Sequence, residues 1–193
     1  MSKIMAEAAL FILIIASVAV GVLMALGLTA ISPLWIFIPI VVLLLPGFYA
    51  AFTSGPFVPS ARKRHQTMLR LANLKSSDVV YDLGCGDGRL VFATAKTVKK
   101  AIGYELSIPL YLFGVMRAAL SRSKGVIRFG DIWKQDYQEA TVIFCYLLPK
   151  AMQRFHAEIW PTLKPGTVVI SNAFPIHALK PSAEEEKVFV YRR

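Results

Sequence analysis

The sequence predicts an α/β protein: a doubly wound, mostly parallel sheet of six strands, preceded by a hairpin of two transmembrane helices. Three observations predict it. From Val79 onward, short β-branched runs alternate with helical patterns, as in strand–helix units folded into a parallel sheet. The first of these strands breaks into glycines at alternate positions, Gly84, Gly86 and Gly88, just before a helix. No Asp, Glu, Lys, Arg or His occurs between Ala8 and Ala61.

A helix crosses a bilayer in about 20 residues, so the charge-free run is long enough for two crossings. Pro33 is the natural break, giving helices near residues 6–29 and 34–53, with Pro39 and Pro46 kinking the second. The first apolar segment is too long for a signal-peptide core and a second span follows at once, so it reads as an anchor. Met1 to Glu7 lacks the Arg- and Ser-rich amphipathic pattern of a mitochondrial leader. The net charge of +10 lies wholly beyond the anchor, with 21 Lys and Arg against 11 Asp and Glu from Arg62 onward. Arg62-Lys63-Arg64 directly follows the second span, which places the large domain on the cytoplasmic side. That membrane is a bacterial inner membrane, or the mitochondrial inner membrane in a eukaryote. A basic face beside a bilayer also attracts anionic lipids, which makes the lipid bilayer the expected partner. The same charge fits RNA, but an RNA enzyme has little need of a membrane hairpin, and no nucleic-acid partner is expected.

Beyond the anchor (residues 1–54), a proline–glycine linker over Thr53–Ser60 leaves the membrane. Gln66 to Leu74 is an amphipathic helix, completing a connecting segment over 55–77. The sheet domain follows over 78–193. Strand 1 is Val79–Leu83, and Arg89–Lys96 a helix. Strand 2 covers 101–105, and Ile108–Ser123 is a helix with Pro109 in its first turn. Strand 3 is Gly125–Phe129, strand 4 Ala140–Tyr146, and Lys150–Trp160 a helix stopped by Pro161. Strand 5 is Thr167–Ser171, and a last strand, Lys187–Tyr191, lies at or near the sheet edge. Ligands bind such sheets beyond the carboxyl ends of the strands, where Asp82, Glu105, Asp131 and Tyr146 all fall.

Glycines at a strand-to-helix turn let backbone approach a ligand that any Cβ would exclude. The spacing Gly84-x-Gly86-x-Gly88 departs from the G-x-G-x-x-G of dinucleotide sites. Asp82, just ahead, suits a cationic ligand group better than a pyrophosphate. Glu105, at the end of the second strand, is placed for its carboxylate to grip two ribose hydroxyls. Together these residues resemble the D-x-G-x-G-x-G turn and strand-2 acid of class I S-adenosylmethionine-dependent methyltransferases, with their Rossmann-like fold.

A closer resemblance runs over residues 55–193. Pro56-Phe57-Val58-Pro59-Ser60, Asp82 to Gly88, Gly103-Tyr104-Glu105-Leu106, Asp131-Ile132-Trp133-Lys134 and the strand-4 exit before Pro149 occur in one order. With the hydrophobic N-terminal segment they resemble the membrane-associated protein-lysine methyltransferases. Mitochondrial members of that family modify the c-ring protein of ATP synthase and the adenine nucleotide translocase, and bacterial relatives are many. The resemblance implies S-adenosyl-L-methionine as cofactor and a lysine of a membrane protein as substrate. It implies that Gly84, Cys85, Gly86 and Gly88 receive the cofactor's methionine part, with Asp82 near its amino group. Glu105 would hold the ribose, and Asp131 with Ile132 the adenine. Pro56, Phe57, Pro59 and Ser60 would cover the cofactor or substrate channel. Tyr146 is the candidate for contacting the target amine, packing being the other role open to it.

Several absences bear on function. No Asn/Asp-Pro-Pro-Tyr follows strand 4, where many methyltransferases of nucleic-acid bases carry it; Cys145-Tyr146-Leu147-Leu148-Pro149 stands there instead. Cys85 and Cys145 have no metal-ligand spacing, nor do His65, His156 and His177, so no metal is expected. Lys99-Lys100 and Glu184-Glu185-Glu186 read as solvated faces. Two other functions stay open: methylation of a membrane-soluble small molecule such as a quinone precursor or aminophospholipid, and a membrane tether without catalysis.

Overall fold

Pairing of the short apolar runs builds one seven-stranded sheet. The computed structural model describes residues 15, 18–23, 25–27, 34–58 and 61–193. Strands β1 (Val79–Leu83), β2 (Lys100–Glu105), β3 (Val126–Phe129), β4 (Val142–Cys145), β5 (Val168–Asn172), β6 (Ala183–Glu185) and β7 (Val188–Arg192) follow the order β3-β2-β1-β4-β5-β7-β6. The first five are parallel, while β7 runs antiparallel to both β5 and β6. Chain direction across the sheet switches between β1 and β4, so a crevice opens beyond the carboxyl end of β1.

Helices cover both faces. They are α2 (Arg62–Ala72), α3 (Arg89–Thr94), α4 (Ile108–Ser121) and α5 (Pro149–Arg154), the last continuing as a π turn over Phe155–Ile159. Alternation along each strand divides the core in two. Tyr81, Leu83, Ile143 and Val169 pack with Met152, Phe155 and Trp160 on one face. Val80, Val142, Phe144 and Ile170 pack with Met68, Leu90, Val91 and Phe92 on the other. α3 is shorter than the sequence pattern suggests. The Thr94 hydroxyl there donates back to the carbonyls of Leu90 and Val91, satisfying the helix end.

Seven strands correct the expected six. The extra strand, β6, is three exposed residues with no apolar alternation, so nothing in its composition marks it. It exists because Glu186 and Lys187 both take positive φ, 51° and 62°, in the two-residue turn that folds β6 back on β7. The acidic run is therefore part strand, part latch, not only a solvated face. Glu185 pairs with Arg70, Glu186 pairs with Lys63 and accepts from the Thr67 hydroxyl, and Arg64 donates to Asn172 on β5. Likewise Lys100 opens β2 and pairs with Glu139 at 2.5 Å.

Residues Met1–Pro46 and Gly47–Arg193 form separate compact units. In the first, residues 18–23 are helical, and helix α1, Leu34–Thr53, begins there with the bounds expected for the second span. Its side chains are described from Phe37 onward, and Phe37, Ile38, Ile40, Val41, Val42, Leu44 and Leu45 are exposed. The first expected span, near residues 6–29, falls largely outside the described residues. Among the described residues no helix is long and apolar enough to cross a membrane, so the transmembrane hairpin has no support from the fold.

Candidate active site

The site is built where β1 ends. Gly84, Gly86 and Gly88 all take positive φ (75°, 56° and 75°), a backbone path closed to most side chains. Gly84 and Cys85 donate their N–H groups to the Tyr104 carbonyl on β2, which pins the turn across the end of the sheet. A Cβ on Gly84 would meet nothing within 4 Å, so this glycine faces open space. A Cβ on Gly86 would strike the Phe57 ring, 2.6 Å from Cδ2. Cys85 turns its thiol inward instead, where a Cβ on Gly103 would collide with it. Only its backbone is placed to meet a ligand in the turn. Burial, with Asp82 and Glu105 nearby, pushes that thiol up, so it stays protonated.

Two carboxylates stand at this end of the sheet in different states. Asp82 is buried, and among the described residues its carboxylate has no hydrogen-bond or ion-pair partner. Burial first, then the charges of Glu105 and Asp87, raise its pKa to about 7. An unpaired buried carboxylate is costly, and a cationic ligand group is the natural relief. Glu105 is also buried but well supplied. Its Oε2 accepts from the Gly86 N–H at 2.8 Å, and its Oε1 from Leu106 and Ser107 at 2.9 and 2.8 Å. Burial raises its pKa, with those backbone donors offsetting part of the rise. A carboxylate offers about four acceptor positions. Glu105 thus keeps room for one ribose hydroxyl as it stands, and holding two requires release of a backbone donor.

The remaining predicted residues ring the same strand ends. Asp131 caps the 3-10 turn Ile132–Lys134 by accepting from the Trp133 N–H, while Ile132 is buried and its carbonyl accepts from the Tyr137 hydroxyl. Tyr146, just past β4, stacks on Phe174 with centroids 6.2 Å apart. Among the described residues its hydroxyl has no partner. Pro56 and Phe57 belong to a strap tied down at two points. The Ser54 carbonyl accepts from the Leu148 N–H at 2.8 Å, and its hydroxyl from the Trp133 indole at 3.2 Å. The strap carries the Phe57 ring to Gly86. Pro59 and Ser60 lie outside the described residues.

Sequence reasoning missed Asp87, Arg89 and Arg117. Asp87 accepts from Arg89 at 2.8 Å and from Arg117 of α4 at 2.8 Å. Burial pushes the Asp87 pKa up, but the two guanidiniums outweigh it and hold the group below its usual value. The signal was present: a charged residue inside a glycine turn needs a partner, and Arg89 stands two positions on. Arg117, distant in sequence, carried no such cue.

An orphaned carboxylate above a glycine cradle, with a second carboxylate at the neighbouring strand end, fits the ammonium and ribose of S-adenosylmethionine. Comparison with known proteins agrees. The family described as the ANTKMT methyltransferase domain matches residues 82–183, more than half of the chain. The chain belongs to that family. A protein-lysine N-methyltransferase of Saccharolobus islandicus is 35% identical over 131 residues, 65% of this chain and 81% of that protein. The ATP synthase c-subunit lysine N-methyltransferase of Mus musculus is 31% identical over 122 residues. That match takes in 62% of this chain but 49% of the mouse protein, so the chain spans about half of that relative's length. Among solved structures, an RNA methyltransferase of Salinibacter ruber bound to S-adenosyl-L-homocysteine superposes with a TM-score of 0.64 and 34% identity. The superposition covers 70% of this chain and 92% of that one. The domain is a class I methyltransferase, and its cofactor is S-adenosylmethionine.

Proposed function

We propose that this methyltransferase modifies a lysine amine of a membrane or membrane-associated protein. The observation that carries the acceptor class is the 35% identity to a protein-lysine N-methyltransferase across 81% of that protein. S-Adenosylmethionine supplies an electrophilic methyl group. Asp82 neutralises the cofactor's ammonium, the Gly84–Gly88 turn admits its methionine part, and Glu105 orients the ribose. Asp131 and Ile132 border the adenine. Tyr146, with an unpartnered hydroxyl at the exit of β4, accepts a hydrogen bond from the incoming amine and orients its lone pair. The strap over Ser54–Val58 shields the glycine turn from water.

The N-terminal segment anchors the enzyme beside its substrate. Support comes from the charge-free run of residues 8–61 and from the described side chains of α1, which are apolar and exposed apart from a half-buried face that includes Pro39, Leu43, Pro46 and Ala50. A helix apolar on all sides is stable only when something apolar covers it. Arg62-Lys63-Arg64 beyond it favours a cytoplasmic domain. On this reading residues 1–54 are the anchor, 55–77 the connection and 78–193 the catalytic domain.

The Salinibacter relative, with its 34% identity, favours a second reading: methylation of RNA. Tritiated S-adenosylmethionine added with the full-length enzyme to membranes and to total RNA separates the readings. Label recovered as methyllysine after hydrolysis of membrane protein is expected. Label confined to RNA, or to the lipid extract, overturns the lysine assignment.

A further inference from the structure

On the α2 side of the glycine turn lies a cleft of about 530 Å³ lined by Arg62, His65, Gln66, Arg89 and Arg117. It contains none of the glycines or carboxylates of the cofactor site. Arg89 and Arg117 are held in place by their shared partner Asp87, and Arg117 also lies over the Phe92 ring. The other three lining side chains are different. Among the described residues, Arg62, His65 and Gln66 make no side-chain hydrogen bond or ion pair, so their donors are free. With Asp87 counted, the cleft keeps an excess of positive charge from three guanidiniums. Several convergent N–H donors around an excess positive charge suit a group with several anionic oxygens.

The surroundings narrow the ligand further. Arg117 sits on α4 between Phe113 and Leu120, its neighbours at four and three residues along the same face. Phe113, Met116 and Leu120 are all exposed, Leu120 by 78%. This apolar stripe flanks the basic cleft, pairing a hydrocarbon-compatible surface with a phosphate-compatible one. Such a pairing belongs to a helix lying in the interface of an anionic bilayer. We propose that the cleft binds the phosphate of an anionic phospholipid headgroup, with the α4 stripe resting on the acyl chains beside it. This rests on the reading that the enzyme works at a membrane, but gives that membrane contact a specific chemistry. A docked headgroup would fix the rotation of the catalytic domain about the bilayer normal, and so which part of a substrate can reach the site.

The test uses the full-length chain in neutral detergent micelles doped with phosphatidylglycerol or phosphatidylcholine, and separately with inorganic phosphate. Arg62→Ala and Leu120→Glu are the variants, both at exposed positions outside the catalytic machinery. Phosphatidylglycerol should bind the wild type more tightly than phosphatidylcholine, with Arg62→Ala weakening it roughly fivefold. Leu120→Glu should weaken phosphatidylglycerol while leaving inorganic phosphate unchanged. Equal affinity for the two lipids, or a preference that survives Arg62→Ala, overturns the proposal. Arg62-dependent phosphate binding without lipid preference assigns the cleft to a free phosphate compound and overturns the lipid part. Tighter, Arg62-dependent binding of a single-stranded RNA oligonucleotide overturns it in favour of nucleic acid. Carbonate extraction of wild-type protein from phosphatidylcholine vesicles tests the anchor separately. Complete release there sinks anchoring, whereas lost lipid preference with anchoring intact sinks only the headgroup site.

Discussion

The ring of Phe57 covers Gly86, filling the place where any side chain at position 86 would project. A residue of the segment leading from α1 thus closes over the turn that defines the cofactor site. Gly86→Ala should therefore fail for two separable reasons, collision with the ring and a φ of 56°. Removing the ring in a Gly86→Ala, Phe57→Ala double variant relieves the first alone. The remaining backbone cost is about 1–2 kcal/mol. Calorimetric titration of S-adenosylmethionine should show binding lost in Gly86→Ala and partly regained in the double variant. No regain would mean that the contact with Phe57 is incidental.

With the cofactor's ammonium seated against Asp82, as proposed above, cofactor binding becomes pH-dependent. Its folded pKa of about 7 lies above the ordinary carboxylate value. Between those values the ligand-free fold holds a proton that the unfolded chain has lost. Asp82 therefore subtracts stability as pH rises through that window, and its full contribution is present only below the unfolded pKa. The cofactor's ammonium selects the ionised form, so affinity should fall on the order of five- to tenfold from about pH 7.5 to about pH 6. Asp82→Asn should bind poorly at both pH values yet melt at a higher temperature than wild type at about pH 8. A flat wild-type profile removes Asp82 from the ammonium site.

Glu105→Gln replaces an acceptor oxygen with a donor and strands at least one backbone N–H. A buried donor left unpaired costs about 1–3 kcal/mol, so denaturant unfolding should shift by that order. Cofactor affinity should fall more than tenfold, because the Gly86 N–H that shapes the turn loses its anchor. Full affinity with reduced stability would make Glu105 purely structural.

Tyr146→Phe keeps the ring stacked on Phe174 and removes only the unpartnered hydroxyl. Stability and cofactor affinity should stay at wild-type values while kcat on a lysine substrate drops by about tenfold or more. An unchanged kcat would return Tyr146 to a packing role.

The doubly wound fold was legible because its strands are continuous apolar runs and its ligand turn is written in consecutive residues. Asp82, Gly84, Gly86, Gly88 and Glu105 lie at the ends of such runs, where pattern and chemistry coincide. What stayed hidden depends on distance in the chain. Nothing local ties Arg117 to Asp87, or Ser54 to Trp133, since each pair meets only once the sheet has stacked its strand ends. β6 was invisible for another reason: three residues, two of them acidic, owe their strand to a turn with two non-glycine positive-φ residues, which no propensity favours.

The latch from Glu185 and Glu186 to α2 has a consequence in time. Residues synthesised more than a hundred positions later hold the helix that supplies Arg62, His65 and Gln66. Until they leave the ribosome, that helix lacks its fastening, and the basic cleft stays incomplete on the nascent chain. The last-made hairpin therefore sets when α2 is fixed, whatever the rest of the sheet has already done.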